Sequence, residues 1–454
     1  MGVFESSSSN AVEVIANVVP FHLRMTELCS KEWVKTMSLP DDHMLKKLSL
    51  EAGYEYSLKK GTPLGYLNFI SKDIESRLKE EKLSIRQIPK LSSSTVEDRL
   101  SIEEFSIFDT TLGNSKTRTK EQEEIARKQF IKFKESVETE TVLAFTDGSV
   151  LGENCFGEGG CGVVMYSKKH GKIEKVSKKV GRMVDNVKCE IEGILTALEM
   201  SENIHEKDNS TTKMIILSDC KSAIDILVGQ NELRKNWEDL NRLWKAVRKT
   251  RELGMECCLI WIPGHANIEM NEEADQLAKI GSKIIGEGQQ EVVSSSVVTR
   301  WIREKIYDRW NNAWNLSETG WWTRTLIGKV GRRLKFPRDR STGMTYVRLL
   351  VNNTAVKENM YRFGLVEDKE CEWEEGIQSI QHILMECKNE REGRKDVERE
   401  LGELWMNESP KAGNLPFDMR LILAPFSIDK INDTLADKMI FCTFKFLTSL
   451  SKLL

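Results

Sequence analysis

The 454-residue sequence contains 40% hydrophobic and 30% charged residues and carries a net charge of −3. This length permits two or three domains, and the near-neutral charge means that any nucleic-acid binding must rely on local basic patches. No uninterrupted apolar run approaches membrane-spanning length. The ten cysteines lack paired spacing and the sequence opens without a signal segment, so we expect an intracellular protein, cytoplasmic or nuclear.

The first 136 residues divide into a helical part and a polar part. Residues 1–90 are predicted to be helical, with an apolar stretch from Asn10 to Leu23 that Pro20 interrupts. Residues 91–136 are polar and charged and are predicted to form a linker. The last part of this linker, Glu121 to Ser136, is expected to be a helix with few buried contacts.

A compact domain is predicted over residues 137–286, and it begins with the strand Thr141 to Ser149. Apolar side chains on both faces of this run are typical of a strand buried inside a sheet. Asp147 comes where the apolar run ends, and Gly148 and Ser149 indicate a turn. A carboxylate at the end of a buried strand is costly unless a group such as a divalent cation neutralises it. Taken alone, the aspartate is explained better by the turn than by a cation site.

The next elements are predicted to be a hairpin and an edge strand. Residues 157–160 indicate a hairpin loop, and Gly162 to Tyr166 indicate the returning strand. The segment from Lys168 to Arg182 is rich in lysine and predicts a third strand. Lysines on such a strand protect a sheet edge from aggregation or bind a ligand, and the sequence allows both roles.

Further acidic residues follow in positions that point to the same place. The apolar strand from Lys213 ends at Asp219, so its carboxyl end is expected beside that of the first strand, where open α/β sheets bind ligands. A helix between the two strands carries Glu190 at the margin of its apolar stripe, whereas Glu192 falls on the polar side and is expected to be solvated. After the strand Leu259 to Ile262, His265 lies in a Pro-Gly-His loop. Asp275 then lies near the start of the next helix.

These segments together resemble a type 1 ribonuclease H domain, and most closely the version carried by non-LTR (LINE-like) retrotransposons. The resemblance rests on T-D-G-S at 146–149, C-E-I-E-G-I-L-T-A-L at 189–198, S-D-C-K-S-A-I at 218–224 and W-I-P-G-H-A-N-I-E-M-N-E-E-A-D-Q-L-A at 261–278. It implies an α/β fold, a five-stranded mixed sheet in the order 3-2-1-4-5 flanked by helices, with helical N- and C-terminal extensions here.

The resemblance also implies the chemistry. Four carboxylates are expected to bind metal and to be catalytic, and a histidine is expected on a mobile loop that assists proton transfer or product release: Asp147, Glu190, Asp219 and Asp275, with His265. Hard carboxylate oxygens suit Mg²⁺ or Mn²⁺ rather than Zn²⁺. Two such ions, roughly 3.5–4 Å apart, would clamp a phosphodiester between them. Gly148, Ser149 and Ser222 are expected to contact the substrate.

The C-terminal region, residues 287–454, is expected to be helical, with a stretch rich in tryptophan and basic residues between Trp301 and Arg340. Such a stretch binds a nucleic-acid backbone, or packs its tryptophans inside with the arginines solvated, and the sequence leaves both open. LINE-like elements often carry a zinc knuckle downstream. Here Cys371, His382 and Cys387 supply three ligands, but Trp373 stands where a second cysteine is expected. We therefore expect a degenerate site without stoichiometric zinc, with Trp373, Ile380 and Ile383 packed beside the two reduced cysteines.

The predicted function is hydrolysis of the RNA strand of RNA–DNA hybrids, with little sequence preference and with no membrane partner. The alternatives are a catalytically idle nucleic-acid-binding module and a transposon relic. The segment from Asn10 to Leu23 resembles the helix that follows the polymerase thumb in LINE-like elements. We therefore interpret the chain as a C-terminal fragment downstream of a reverse transcriptase.

Overall fold

The structure, a computed structural model, describes residues 7–53, 62–88, 102–108, 118–152, 157–229, 237–284, 291–373, 376–408 and 417–450. These residues form two compact units. One comprises residues 28–302, and the other comprises residues 1–27 together with residues 303–454. Within the described part of the chain, no helix is both long enough and apolar enough to cross a membrane.

The described residues of the first unit contain eight strands: β1 (Leu83–Ile85), β2 (Glu103–Phe105), β3 (Thr141–Leu151), β4 (Glu158–Ser167), β5 (Gly171–Arg182), β6 (Lys213–Ser218), β7 (Glu256–Trp261) and β8 (Glu291–Val293). Six of them form a mixed sheet in the order β2-β7-β6-β3-β4-β5. Strands β3, β4 and β5 pair antiparallel, whereas β6, β7 and β2 continue the sheet in parallel. The five strands from β3 to β7 thus confirm the predicted order 3-2-1-4-5. The sixth strand, β2, was not predicted.

The helices, in chain order, are α1 (Ser9–Ala16), α2 (Phe21–Met37), α3 (Met44–Glu51), α4 (Pro63–Glu80), α5 (Lys120–Ser136), α6 (Asn186–Glu199), α7 (Ser201–Lys207), α8 (Lys221–Gly229), α9 (Trp237–Glu252), α10 (Glu269–Lys283), α11 (Ser295–Asn315), α12 (Trp321–Leu326), α13 (Arg340–Leu350), α14 (Lys357–Arg362), α15 (Arg391–Glu408), α16 (Met419–Leu423) and α17 (Asp433–Leu450). The α/β architecture with flanking helices is therefore confirmed.

Helix α10 packs unusually close to strand β4 because glycines remove the side chains between them. A Cβ atom on Gly160 would collide with the backbone of Ser282, and one on Gly162 would collide with the backbone of Ala274 and Ala278. The hairpin loop predicted at residues 157–160 is therefore wrong for the last three of these residues, which belong to β4. Glycine is required in this strand because the helix packs closely on it, and not because the chain turns there.

Two short strands, one before and one after the six-stranded sheet in the sequence, also pair with each other. Strand β1 pairs in parallel with β8. Arg182 at the end of β5 forms ion pairs with Glu81, which precedes β1, and with Glu291, the first residue of β8. The amide of Ile88 donates a hydrogen bond to the carbonyl of Ser38. Part of the N-terminal helical region is thereby built into the same compact unit as the sheet.

The second unit is helical and has its own core. Tyr346 of α13 is fully buried between the rings of Phe336 and Phe444, and its hydroxyl donates a hydrogen bond to the carbonyl of Leu423 at 2.7 Å. Trp310 and Trp314 of α11 are also buried. For these two tryptophans, the interpretation as core residues is confirmed.

Candidate active site

Three carboxylates meet where the parallel pairing of two neighbouring strands ends. Strand β3 continues beyond this point to Leu151, so the turn predicted at Gly148 and Ser149 is wrong. Asp147 lies in β3 and Asp219 follows β6, and these strands run in parallel with Thr146 opposite Ser218. Glu190 reaches the same point from helix α6. The carboxylate oxygens of Asp147, Glu190 and Asp219 lie within 4.8 Å of one another. The structure thus brings together three of the four predicted acidic residues.

Two glycines allow α6 to approach β3 closely enough for this arrangement. A Cβ atom on Gly148 would collide with the backbone of Cys189 and Glu190, and one on Gly193 would lie 3.3 Å from the carbonyl oxygen of Asp147. The helix therefore rests on the strand almost backbone to backbone. This packing determines how near the Glu190 side chain comes to Asp147.

The cluster is electrostatically unfavourable by itself. Burial, together with the charges of Asp219 and Asp275, raises the pKa of Asp147 to about 8. Burial, together with the charges of Asp147 and Asp219, holds the pKa of Glu190 well above its ordinary value. Burial also raises the pKa of Asp219. Like charges held close together in a low-dielectric site favour the protonated forms unless a cation is present.

These residues fit a divalent cation. Among the described residues, no lysine or arginine forms an ion pair with Asp147, Glu190 or Asp219. One oxygen of Glu190, Oε2, is buried and has no hydrogen-bond partner among the described residues. Buried charges are normally paired or bound to metal, and oxygen ligands are those preferred by Mg²⁺ and Mn²⁺. The donor set is therefore suited to a hard divalent ion.

Asp275 and His265 lie at the border of this cluster. Asp275 of α10 is close enough to raise the pKa of Asp147, and its own Oδ2 pairs with Nζ of Lys279 at 2.5 Å. His265 is exposed and has a φ of +52°, in the left-handed region that is uncommon for residues other than glycine. The protonated ring of His265 would lower the pKa of Asp219, so the two side chains are neighbours.

Two asparagines and a tryptophan, none of which the sequence analysis identified as site residues, hold the carboxylates. Nδ2 of Asn186 donates a hydrogen bond to Oε1 of Glu190 at 3.2 Å, and the side chain of Asn271 hydrogen-bonds to Asp219. Nε1 of Trp261 donates to the backbone carbonyl of Asp219 at 3.0 Å. Such partners orient metal-binding carboxylates and are costly to remove. Only Asn186, four residues before Glu190 on one helix, could have been found from its spacing.

The segment before α5 also supports the site. Phe108 packs edge-on against Trp261 with 6.5 Å between the ring centroids, and NH1 of Arg118 donates to the carbonyl of Gly264 at 2.7 Å. Gly264 immediately precedes His265, and a Cβ atom at Gly264 would collide with Asp219. Residues beyond the predicted domain therefore contact the loop and the strand end that carry the site.

Glu192 is buried, so the prediction of a solvated side chain is wrong. Its oxygens pair with Arg242 at 2.7 and 3.1 Å and with Lys178 at 2.8 Å. The hydrogen bonds and positive charges of these two cations outweigh burial and lower the pKa of Glu192 to about 2. Helix α9 and strand β5 cover the face of α6 that its sequence alone suggested was exposed to solvent.

The remaining predicted site residues lie in two places. Gly148 and Ser149 are half-buried next to Asp147, and Ser222 is exposed at the start of α8, three residues after Asp219. In the helical unit, ligand atoms of Cys371, His382 and Cys387 lie within 4.8 Å of one another, and all three residues are buried.

The predicted packing of Trp373 beside these cysteines is wrong, because 55% of its surface is exposed. Ile380 and Ile383, which were expected in the same apolar cluster, are buried. The remaining part of the sequence interpretation, two cysteines in an apolar environment, therefore does not depend on the tryptophan.

Comparison with known proteins gives matches to the part of the chain that carries the predicted compact domain. Residues 139–283 match the RNase H family model. A ribonuclease H of Yersinia enterocolitica is 28% identical over 154 residues, which cover 32% of this chain and 91% of that protein. A ribonuclease H of Nitrobacter hamburgensis is 29% identical over 147 residues, which cover 31% of this chain and 90% of that protein.

Solved structures similar to part of this chain include RNase H1 from the halophilic archaeon Halobacterium salinarum, with 23% identity and a TM-score of 0.25 over 31% of this chain and 96% of that chain. LC11-RNase H1 in complex with an RNA/DNA hybrid is 17% identical, with a TM-score of 0.25 over 31% of this chain and 97% of that chain. The family match and the curated relatives, together with the carboxylate cluster in the matched segment, identify residues 139–283 as an RNase H domain.

Proposed function

We propose that this protein is an endoribonuclease that hydrolyses the RNA strand of RNA–DNA hybrids. The observation that supports this most directly is the convergence of Asp147, Glu190 and Asp219 within 4.8 Å, inside the segment that matches the RNase H family. A carboxylate cluster alone would serve many metal-dependent reactions. The family match narrows the proposal to ribonuclease chemistry.

The four carboxylates would hold two Mg²⁺ or Mn²⁺ ions, with Asp147 between the two. When bound, these ions would activate the attacking water and stabilise the leaving oxygen of the phosphodiester. Glu190 and Asp219 would hold one ion on one side, and Asp275 would complete the other. Asn186 and Asn271 would fix the orientation of Glu190 and Asp219 through the hydrogen bonds already described.

His265 is proposed to move protons to and from the reacting oxygens. Its side chain is 68% exposed and lies next to Asp219, so it can reach solvent and the site together. The neutral ring would accept a proton and the charged ring would release it. Its loop is held at Gly264 by Arg118, which limits how far the ring can move from the carboxylates.

The substrate is proposed to be the hybrid rather than either homoduplex. RNA selectivity would come from contacts to 2′-hydroxyl groups, which distinguish RNA from DNA at a site. Gly148 and Ser149 follow Asp147 within β3, Ser222 lies at the start of α8, and these three residues are proposed to contact the sugar-phosphate backbone. The resemblance to non-LTR retrotransposons leads us to propose such an element, downstream of its reverse transcriptase, as the origin of this chain.

The decisive experiment is a gel assay with the full-length chain and a hybrid whose RNA and DNA strands carry different labels. We expect RNA-strand cleavage with Mg²⁺ or Mn²⁺, no cleavage in chelator, and no cut in the DNA strand. Duplexes made only of RNA or only of DNA serve as controls. Cleavage in chelator, or an equal rate on double-stranded RNA, would contradict the proposal.

A further inference from the structure

A loop in the helical unit carries a concentrated positive charge. Between Arg324 and Arg348 the sequence has eight arginines and lysines and one acidic residue, Asp339. The segment 351–408 that follows has fifteen acidic residues and eight basic ones. Positive charge is therefore segregated into a short part of a chain whose net charge is −3. We call residues 327–340, which connect α12 to α13, the basic loop.

The loop is fixed to the unit at several points. The amide of Val330 donates to Oδ1 of Asn311 at 3.2 Å, and the guanidinium of Arg332 lies over the ring of Phe426, with 4.7 Å between its Cζ atom and the ring centroid. Leu334 is buried. A segment with these anchors holds its exposed side chains in place before any ligand binds, which lowers the entropic cost of binding.

The cations of the loop fall into two groups. Arg332 pairs with Asp433 of α17 at 2.5 Å, and Lys335 lies 4.0 Å from Asp437 of the same helix. The other four are exposed and form no ion pair with any described residue: Lys329, Arg333, Arg338 and Arg340. The first group attaches the loop to the fold, and the second is available to an external anion.

Two of the unpaired arginines lie where they oppose helix stability. Asp339 is the N-cap of α13 and accepts a hydrogen bond from the amide of Thr342 at 2.7 Å. Arg338 and Arg340 flank this cap at the positive end of the helix dipole, where cations are unfavourable and anions are favoured. Local stability therefore does not explain these residues, whereas an anionic ligand would benefit from both the arginines and the dipole.

An aromatic side chain lies among these charges. Phe336 packs edge-on against Tyr346, yet 39% of its surface stays exposed. Cations that follow a phosphate backbone, together with an exposed ring on which a base can stack, are typical of surfaces that bind single-stranded nucleic acid. A lipid surface would also use both the charges and the ring, so the test below includes anionic vesicles, and the RNase H segment of the same chain favours nucleic acid as the ligand.

We propose that the basic loop is a second nucleic-acid-binding surface, which holds single-stranded RNA or DNA through Lys329, Arg333, Arg338, Arg340 and Phe336. The proposal rests on the proposed function only in that both assume a nucleic-acid substrate. A single strand adjoining a hybrid would be bound here while the hybrid itself is cut by the RNase H domain.

The test measures binding of a labelled single-stranded RNA to the full chain in chelator, so that no cleavage occurs. A triple variant, Arg333→Gln with Arg338→Gln and Arg340→Gln, removes three unpaired charges. A matched variant, Arg362→Gln with Arg391→Gln and Lys395→Gln, removes the same charge from exposed positions on α14 and α15. Circular dichroism and the unfolding temperature show whether both variants fold.

We expect the loop variant to weaken RNA binding at least about 10-fold and to reduce the slope of log affinity against log salt by about 2, for three lost phosphate contacts on a single strand. The matched variant should change affinity less than about 2-fold. Phe336→Ala should weaken binding without changing the slope, because stacking releases no counterions. Equal losses in both triple variants, or an unchanged slope, would overturn the proposal. So would tighter binding to phosphatidylserine-containing vesicles than to RNA.

A cleavage assay separates this proposal from the proposed function. On a hybrid with a single-stranded tail, the loop variant should raise KM and leave kcat unchanged, and on a blunt hybrid it should change neither. If the unmodified chain cuts no hybrid at all, the proposed function fails while the RNA-binding measurement still decides the role of the loop. A fall in kcat on the blunt hybrid would overturn the separation of the two surfaces.

Discussion

Gly148 lies directly against the backbone nitrogen of Glu190, so closely that a Cβ atom at position 148 would collide with it. The contact joins the strand that carries Asp147 to the helix that carries Glu190. The approach of the two carboxylates is therefore determined by backbone packing rather than by side-chain conformation alone. Rigid placement of this kind keeps like charges together despite their repulsion, which a metal ion would relieve.

Asp147→Asn should abolish hybrid cleavage and, in chelator, should raise the unfolding temperature. The substitution removes a carboxyl group whose pKa is raised to about 8 in the fold, so the metal-free fold no longer bears the cost of protonating or burying that group. Unfolding scans with and without Mg²⁺ check this. Mg²⁺ should stabilise the unmodified chain more than the variant, because a ligand that binds only the folded state stabilises it. Equal stabilisation of both would show that Asp147 does not bind the ion.

Glu190→Gln and Glu192→Gln should have opposite effects, although the residues are two positions apart. Glu190→Gln should lower kcat by more than about 100-fold, with little loss of stability. Removal of a residue that only hydrogen-bonds to a metal ligand typically costs roughly 10–100-fold, and Glu190 is predicted to be a ligand itself. Glu192→Gln should leave kcat within a few-fold. It should cost about 1–3 kcal/mol of unfolding free energy, because it leaves Arg242 and Lys178 without their shared counter-charge.

Measurements of kcat under saturating substrate, and of urea unfolding, distinguish these two effects. A stable but inactive Glu192→Gln protein would show that the assignment of the two glutamates is reversed.

Arg118→Ala should lower kcat by about 10-fold and should leave KM unchanged. This loss is smaller than the roughly 100-fold loss of rate that a 1 Å misplacement of a catalytic group causes. The reason is that Arg118 holds the carbonyl of Gly264, next to His265. Arg127→Ala on the exposed face of α5 is the matched control and should have no effect. If Arg118→Ala lowered the unfolding temperature as well, with parallel changes in kcat and KM, the residue would be structural instead.

The cluster of Cys371, His382 and Cys387 should carry no stoichiometric zinc. Structural zinc sites are almost always four-coordinate, and only these three ligands converge among the described residues. Elemental analysis of protein purified without added metal checks the prediction. One zinc per chain, lost on His382→Ala, would show that a further group completes the site.

Tyr346→Phe should flatten the loss of stability at high pH. Burial raises the pKa of the Tyr346 hydroxyl, so folding favours its neutral form. The corresponding stability is fully present below the unfolded pKa of about 10 and is lost as pH rises above it. At pH ~8 the variant should cost about 1 kcal/mol for the hydrogen bond to Leu423. Urea unfolding between about pH 8 and 11.5 measures both effects. If the unfolding free energies of the two proteins fell in parallel as the pH rises, the predicted effect of Tyr346 ionisation would be refuted.

The sequence predicted best where local pattern determines the structure. Asp147 and Asp219 each end a short apolar run, and strands of this kind place their carboxyl ends together in a sheet. The helix that bears Glu190 could be predicted from its periodicity for the same reason. These features depend on neighbouring residues in the chain, and the structure brings all three carboxylates to one point.

Features that depend on distant residues could not be predicted in this way. Periodicity assigns Glu192 to a polar face, but it gives no information about Arg242, fifty positions away, which covers that face. The contact from Arg118 to Gly264 spans 146 positions. Strand β2 has only three residues, two of them glutamates, so it lacks the apolar alternation that indicates a strand.

The pairing of β1 with β8 determines how the RNase H domain can be isolated. These strands join residues about 208 positions apart, on opposite sides of the matched segment, and bring both of its flanks to one location. The RNase H domain thus lies between two segments that pair with each other. The β1–β8 pair can form only after the intervening sheet has folded. Closing so long a loop beforehand would have an entropic cost without compensating contacts. A fragment trimmed to residues 139–283 would lose this closure, whereas one that spans residues 28–302 would keep it.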